Sequence, residues 1–460
     1  MAAYEIVERD EAGRVMKTYV GNGDGRVDVI TPKDTKSYAQ QVLDVFLPAG
    51  YPQSDSLQAF SSSIAGMLSS RAVLEGKNLS HPLVVSTSST LHQRVGVGDS
   101  SASPTAALLL SVLQESMGRI ATILFAHRLG TALEPECKMY RLAADVLNDT
   151  AMILDCLSPA FPKPARVLLL SFSSVLRSLC GVCAGSAKAH IADFVYPGPQ
   201  ASLSAHFAKK GNLGELNAVT ATLTCIVEGF KPRNGHIAAR HVVLIALLSI
   251  HLATNYAAVK AVSMRCLNRQ RANIVFSALQ QHGSVLSPLE VSVRERIFER
   301  DGVLRWNDGT IIGSCRIGVP LEILLRHLGR QHRQTGSLEL QHIKLQALLN
   351  IFADEAYLLW FVTSKCEALI VLKEGCTPTD QLKAWAHALL LAHQVQHHSL
   401  EHKLENDDTE SADPQLTALR STLEDTKRIF VVHAAVLEEQ GWDLSIAAME
   451  TRAGSRAHIQ

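Results

Sequence analysis

Two groups of residues could do chemistry in this chain. In "KMYRLAADVLNDTAMILDCL" (Lys138 to Leu157), a helical step of about 100° gathers Arg141, Asp145, Asn148, Asp149, Met152 and Asp155 into one arc of about 120°. Leu142, Val146, Leu147, Thr150, Ile153 and Leu154 fill the rest of the circumference. Unpaired carboxylates are too costly in a low-dielectric interior, so this acidic stripe must meet water, a solute or cations. A solvated face or a structural network is the plain reading; a lined cavity or pore is the functional one.

The second group ends "VVLIALLSIHLATNYAAVKAVSMRCLNRQRANIVF" (Val242 to Phe276). Its first eighteen residues carry no charge, and Lys260, Arg265, Arg269 and Arg271 follow within twelve positions. As a helix the apolar run reaches about 27 Å, slightly short of a hydrocarbon core of about 30 Å. The flanks do not orient it, with Lys231, Arg233 and Arg240 before and four cations after. His251 and Asn255 share one face inside it, as they would in a bundle interior. Arg265, Asn268 and Arg269 share an arc while Arg271 points away, so one phosphate is not clamped by all three arginines. The expected partners of Arg265 and Arg269 are Asp145 or Asp149, with Arg271 paired separately.

The remaining constellations are weaker. Cys180 and Cys183 form a C-x-x-C inside an apolar helix, a poor setting for redox or metal chemistry. "GVCAG" places Gly181, Gly185 and Ala189 on one small-residue stripe suited to close helix approach. "HQVQHHSLEH" sets His398 and His402 one turn apart beside Glu401, a metal-like spacing that is most simply a wet helix face. "NGDG" is a turn without the remaining ligands of a calcium loop. No nucleophile and base stand in a recognisable spacing, so no enzyme and no metal are expected.

The elements that must position these groups are mainly helical. Of 460 residues, 47% are hydrophobic and only 19% charged, below the roughly 25% of ordinary soluble domains, which points to a large buried core or a membrane. Lys plus Arg equals Asp plus Glu at 44 each, so no global field favours nucleic acid. Nine scattered cysteines read as reduced thiols, and the polar N-terminus carries no cleaved targeting signal, so an intracellular site is expected.

The expected architecture is a multi-helix apolar bundle, either membrane-type or a large buried core, with small β-containing units at its ends. Residues 1–35 read as a β-meander, 36–285 as the helical core, 286–403 as a smaller α+β unit, 404–415 as an acidic linker and 416–460 as a terminal helix and tail.

Five blocks resemble the root-UVB-sensitive family, also called the vitamin B6 photo-protection and homeostasis family. They are "VGVGD" (Val95 to Asp99), "KMYRLAADVLNDTAMILDCLSPAFP" (Lys138 to Pro162), "GVCAGSAKAH" (Gly181 to His190), "NAV" (Asn217 to Val219) and "MRCLNRQRANIVFSAL" (Met264 to Leu279). The resemblance implies membrane-associated proteins tied to vitamin B6 balance and UV-B responses, with no settled activity. It departs at the polar insert 77–94, at "QESMG" (Gln114 to Gly118), at Lys188 in place of an Arg, and at "NAVTATLT" (Asn217 to Thr224), which has lost the family's acidic stretch.

The B6 link raises pyridoxal phosphate on Lys188, but no phosphate cup or pyridinium partner is recognisable, so no cofactor is expected. The expected function is a non-enzymatic, membrane-associated scaffold or small-solute carrier, partnered by another family member or a second copy. The polar network would be Arg141, Asp145, Asn148, Asp149, Lys188, Arg265, Asn268, Arg269 and Arg271. The alternative is a soluble or peripheral sensor of a phosphorylated metabolite such as a B6 vitamer, with Lys188, Arg265 or Arg269 as anion ligands.

Overall fold

The computed structural model describes residues 4–10, 13–21, 25–32, 104–195, 237–332, 336–340, 345–401, 414–452 and 454–459. The VGVGD block, the insert 77–94, Asn217 to Thr224, Asn22 to Asp24 of the NGDG turn and the linker up to Asp413 lie outside the described residues. So do the side chains of Lys188, Ala189, His398, Glu401 and His402.

The strands are β1 (Tyr4–Arg9), β2 (Val15–Gly21), β3 (Arg26–Ile30), β4 (Val303–Arg305), β5 (Ile311–Ile317), β6 (Gly329–Gln331), β7 (Leu338–Leu340), β8 (Tyr357–Val362), β9 (Glu367–Lys373) and β10 (Arg456–Ile459). The helices are α1 (Pro104–Leu133), α2 (Cys137–Leu157), α3 (Lys163–Val195), α4 (Ile237–Ala261), α5 (Arg269–His282), α6 (Pro288–Arg294), α7 (Leu321–Leu328), α8 (Leu345–Ile351), α9 (Pro378–Glu401) and α10 (Pro414–Glu439). The chain is thus mainly helical with a mixed sheet.

Two compact units emerge, one of residues 1–33, 128–146 and 181–460, the other of 34–127 and 147–180.

In the first unit all ten strands share one sheet, ordered β4-β5-β9-β10-β1-β2-β3-β7-β6, with β8 on β9. The N-terminal meander forms as its alternation predicts, but it is not a sheet of its own. β10 pairs antiparallel with β1 and parallel with β9, joining the chain termini to the C-terminal strands. Three strands alone would bury too little apolar surface, and this continuity places Ile6, Tyr19 and Val27 in the main core. β8 and the middle of β9 are buried on both faces, so they read as continuous apolar runs, "YLLWFV" and "ALIVL". α9 lies across them, and Trp385, fully buried, donates to Asn273 Oδ1 of α5 at 2.8 Å.

His387, also on α9, is fully buried. Its Nε2 faces the Leu419 carbonyl at 3.2 Å, which can only accept, so Nε2 carries the proton and Nδ1 accepts from the Tyr357 hydroxyl at 3.1 Å. Burial, chiefly, and Lys383 depress its pKa to about 3, against the pull of the Leu419 carbonyl. Because the unfolded side chain titrates near 6.5, the stability His387 contributes is complete above that pH and is lost as pH falls from about 6.5 toward 3. Unfolding free energy should therefore fall by up to about 1.4 kcal/mol per pH unit across that window, and His387→Gln should flatten the slope in denaturant titrations.

The described part of the second unit is built from stretches of α1, α2 and α3. Ser173 Oγ donates to the Ala151 carbonyl at 3.1 Å, and Asp155 pairs with Arg177. At Gly118 α1 lies tight against α3: a Cβ there would lie 2.4 Å from Ser178 Oγ. The small-residue stripe expected at Gly181 and Gly185 does not play this part among the described residues. Among the described residues a Cβ on either glycine would meet nothing within 4 Å.

Candidate functional site

The first unit contains a closed cluster of charges where the turn before α2, the segment before α5 and the coil after α6 converge. Its centre is Arg271, 1% exposed. The sequence folds this way locally because Asn268 caps α5, its Oδ1 accepting from the Arg271 backbone N–H at 2.9 Å, while Gly283 ends the helix in a left-handed conformation at φ 67°. The cap holds Arg271 in the first turn, where its guanidinium reaches back.

Arg271 Nη1 pairs with Glu295 at 2.7 Å, Nε donates to the Cys266 carbonyl at 2.6 Å, and Nη2 donates to the Pro135 carbonyl at 3.5 Å. Lys138 Nζ takes the other Glu295 oxygen at 2.5 Å. Arg269 pairs with Asp301 and, at 3.6 Å, with Glu136. Asn268 Nδ2 donates to the Pro135 carbonyl at 3.1 Å and to Glu136 at 3.2 Å.

Three cations (Lys138, Arg269, Arg271) thus meet three carboxylates (Glu136, Glu295, Asp301), and the cluster is neutral. Burial pushes the Glu136 carboxyl above its usual range, against the pull of Arg269 and Arg271. Burial also disfavours the Arg271 cation, but Cys266, Glu295, Cys137 and Glu136 more than offset it and hold the guanidinium charged. Cys137 beside them is pushed up to about 12 by burial, so its thiol stays neutral at neutral pH.

The cluster therefore fastens elements together and has no uncompensated charge to offer an anion. The partners differ from those read in the sequence. Arg269 takes Glu136 and Asp301; Arg265 is exposed, its Nε donating to the Gly441 carbonyl at 3.0 Å; Asp145 pairs within its own helix with Arg141 at 2.6 Å. The reason is topological. The turn 134–136 brings carboxylates to the capped end of α5, ahead of the stripe on α2. Glu136, Glu295 and Asp301 were not recognisable in advance, because they lie in turns and coil without periodicity, and nothing local marks Lys138, in the first turn of α2, as their partner.

The acidic stripe is largely buried together with Leu142, Ala144 and Ala151, while several apolar residues of the same helix are exposed. Asp145 and Asp149 are only 8% and 6% exposed, and Asn148 is half-buried. Val146, Ile153 and Leu157 on the opposite face are exposed. Asp145 Oδ2 and Arg141 Nε are buried and have no hydrogen-bond partner among the described residues.

The same exposure of apolar residues recurs, helix by helix, at Leu113, Met117, Ile120 and Leu124 of α1 and at Leu168 and Phe172 of α3. It is most complete on α4. Val242–Ala261 and Pro164–Gly185 are long and apolar enough to cross a membrane, with only 6% and 28% of each segment buried.

Two other features lie in the first unit. An open cleft of about 1030 Å³ runs along β5 with Arg300, Arg316, Lys365 and Arg452 on its walls. The histidine segment stacks His393 on Trp306 with centroids 3.6 Å apart and sets His393 Nε2 3.0 Å from His397 Nε2. No group of three or more His, Cys, Asp or Glu suited to a metal occurs among the described residues.

Comparison with known sequences bears on these features. Residues 32–283 match the family model described as the Vitamin B6 photo-protection and homoeostasis domain, and 315–451 match the Root UVB sensitive protein, C-terminal model. The chain is 31% identical over 322 residues to RUS family member 1 of Dictyostelium discoideum, covering 64% of this chain and 55% of that protein. It is 27% identical over 379 residues to Protein root UVB sensitive 3 of Arabidopsis thaliana, covering 78% and 76%. It is 22% identical to the same plant's Protein root UVB sensitive 2, chloroplastic, covering 81% and 78%. No solved structure matches.

Proposed function

Because the chain belongs to the root UVB sensitive family, we propose that it is a non-enzymatic, membrane-associated helical protein, acting in vitamin B6 homeostasis or UV-B-linked signalling as a scaffold or small-solute carrier. The observation that carries this reading is the exposure of apolar residues along its helices. In water, exposed helix faces are usually polar; α2 exposes Val146, Ile153 and Leu157 while burying Asp145 and Asp149 beside Leu142, Ala144 and Ala151, and α4 is apolar and almost wholly uncovered. Twenty residues of helix, Val242–Ala261, measure about 30 Å, the thickness of a hydrocarbon core.

The carrier form of the proposal draws on the interior. A buried carboxylate oxygen and guanidinium nitrogen without partners among the described residues call for water or a bound solute, and Arg141 with Asp145 supplies both on the acidic stripe of α2. The cation–carboxylate cluster around Arg271 would fasten the first turn of this helix to α5 and to the coil after α6. The reading is tested by alkaline carbonate treatment of membranes from cells expressing the full chain. Retention in the pellet with release only by detergent supports it; full release into the supernatant overturns it.

A further inference from the structure

α4 is anchored at one end. Val259 and the half-buried Leu252 pack with Leu142 and Ile297, whereas Val242, Val243, Ile245 and Ile250 nearer its start stand exposed. Beside the anchored end runs α6, with Leu289 and Val293, one turn apart on its surface, 66% and 69% exposed, followed by Phe298 at 57%. Exposed large apolar groups thus continue from the helix onto the segment 289–298.

Cations interleave with them. Tyr256, Lys260, Arg294 and Arg296 line an open cleft of about 330 Å³ together with Val293 and Phe298. Lys260, Arg294 and Arg296 have no carboxylate within ion-pair distance among the described residues. The carboxylates nearby are otherwise engaged: Glu295 with Arg271 and Lys138, Glu299 with Arg305, and Glu290 in the capping box with Ser287. Arg294 donates to the Asn307 amide oxygen at 3.4 Å, and the charges of Arg294 and Arg296 act on Glu290 and Glu299 from beyond ion-pair distance.

An aromatic amphipathic side chain at the end of an apolar helix, exposed apolar groups beside it and three cations beyond ion-pair distance of any carboxylate among the described residues form the pattern of a membrane–water boundary. We propose that this cleft docks the headgroup of an anionic lipid. Lys260, Arg294 and Arg296 face its net negative headgroup, and Val293 and Phe298 enter the acyl boundary. The proposal rests on the membrane reading of α4 and goes beyond it: it puts the C-terminal end of α4 at an anionic surface, an orientation the flanking charges leave open.

The test is native mass spectrometry of the full chain in detergent, with palmitoyl-oleoyl phosphatidylserine added against phosphatidylcholine. Each cation facing an anionic headgroup is worth about fivefold in affinity, so the serine lipid should be retained at least fivefold better. Arg294→Ala with Arg296→Ala should bring the two lipids to near parity, and Lys260→Ala, which leaves α6 intact, should do so in part. Equal retention of both lipids, or an unchanged preference in the double variant, overturns the site, as does complete displacement of the lipid by inorganic phosphate. Failure of the membrane reading is seen separately, as release of the unmodified chain by carbonate.

Discussion

Glu295→Ala should destabilise the first unit by about 3–5 kcal/mol, because it strands two buried cations at once. Glu295 is the shared carboxylate of Arg271 and Lys138, and all three side chains are at most 5% exposed. Removing it leaves a guanidinium and an ammonium in a low-dielectric interior with only carbonyls and a thiol for company. Denaturant titration in detergent reads the loss directly.

Two companion variants separate charge from packing. Arg271→Lys keeps the charge but cannot serve Glu295, the Cys266 carbonyl and the Pro135 carbonyl together, so it should still be destabilising. Replacing the trio with Lys138→Met, Arg271→Met and Glu295→Leu should cost much less than Glu295→Ala alone, since no charge is then left unpaired.

Ile250→Arg on α4 should oppose membrane insertion by about 2.5–3.5 kcal/mol, roughly a hundredfold. Ile250 is 63% exposed and lies near the middle of Val242–Ala261, so the arginine can neither snorkel easily to an interface nor find a partner inside the fold. Were the same face in water, the substitution would stay within about 0.5 kcal/mol, as surface changes usually do. The measurement is the fraction of full chain that resists carbonate extraction, compared with Val431→Arg. Val431 is 86% exposed on α10, outside the two apolar segments, and should leave that fraction unchanged.

Features fixed by local pattern were legible in the sequence. The arc of Arg141, Asp145 and Asp149 follows from helical geometry alone, and the helix holding it is Cys137–Leu157. "LNRQRAN" read as a polar junction whose arginines face different partners, and Arg269 and Arg271 do take different carboxylates. What stayed hidden depends on contacts distant in sequence. Glu295 lies in coil after a seven-residue helix, and nothing local marks it as the counter-ion of a residue twenty-four positions earlier.

Strand β10, "RAHI", is short and polar, so its bridging of β1 to β9 is visible only in three dimensions. The direction of the acidic stripe was equally out of reach. A periodicity gives the faces of a helix but not which residues are covered, and on α2 Asp145 and Asp149 are buried while Val146 and Ile153 are exposed.

The central claim is that the uncovered face of α4 lies in lipid, and a photo-crosslinker at position 250 in the full chain, activated in intact membranes, tests it most directly. The account predicts adducts to lipid acyl chains at position 250 and at Leu247, and none at Val431. Adducts at 250 and 247 confined to protein, or quenching by water at both, would contradict it.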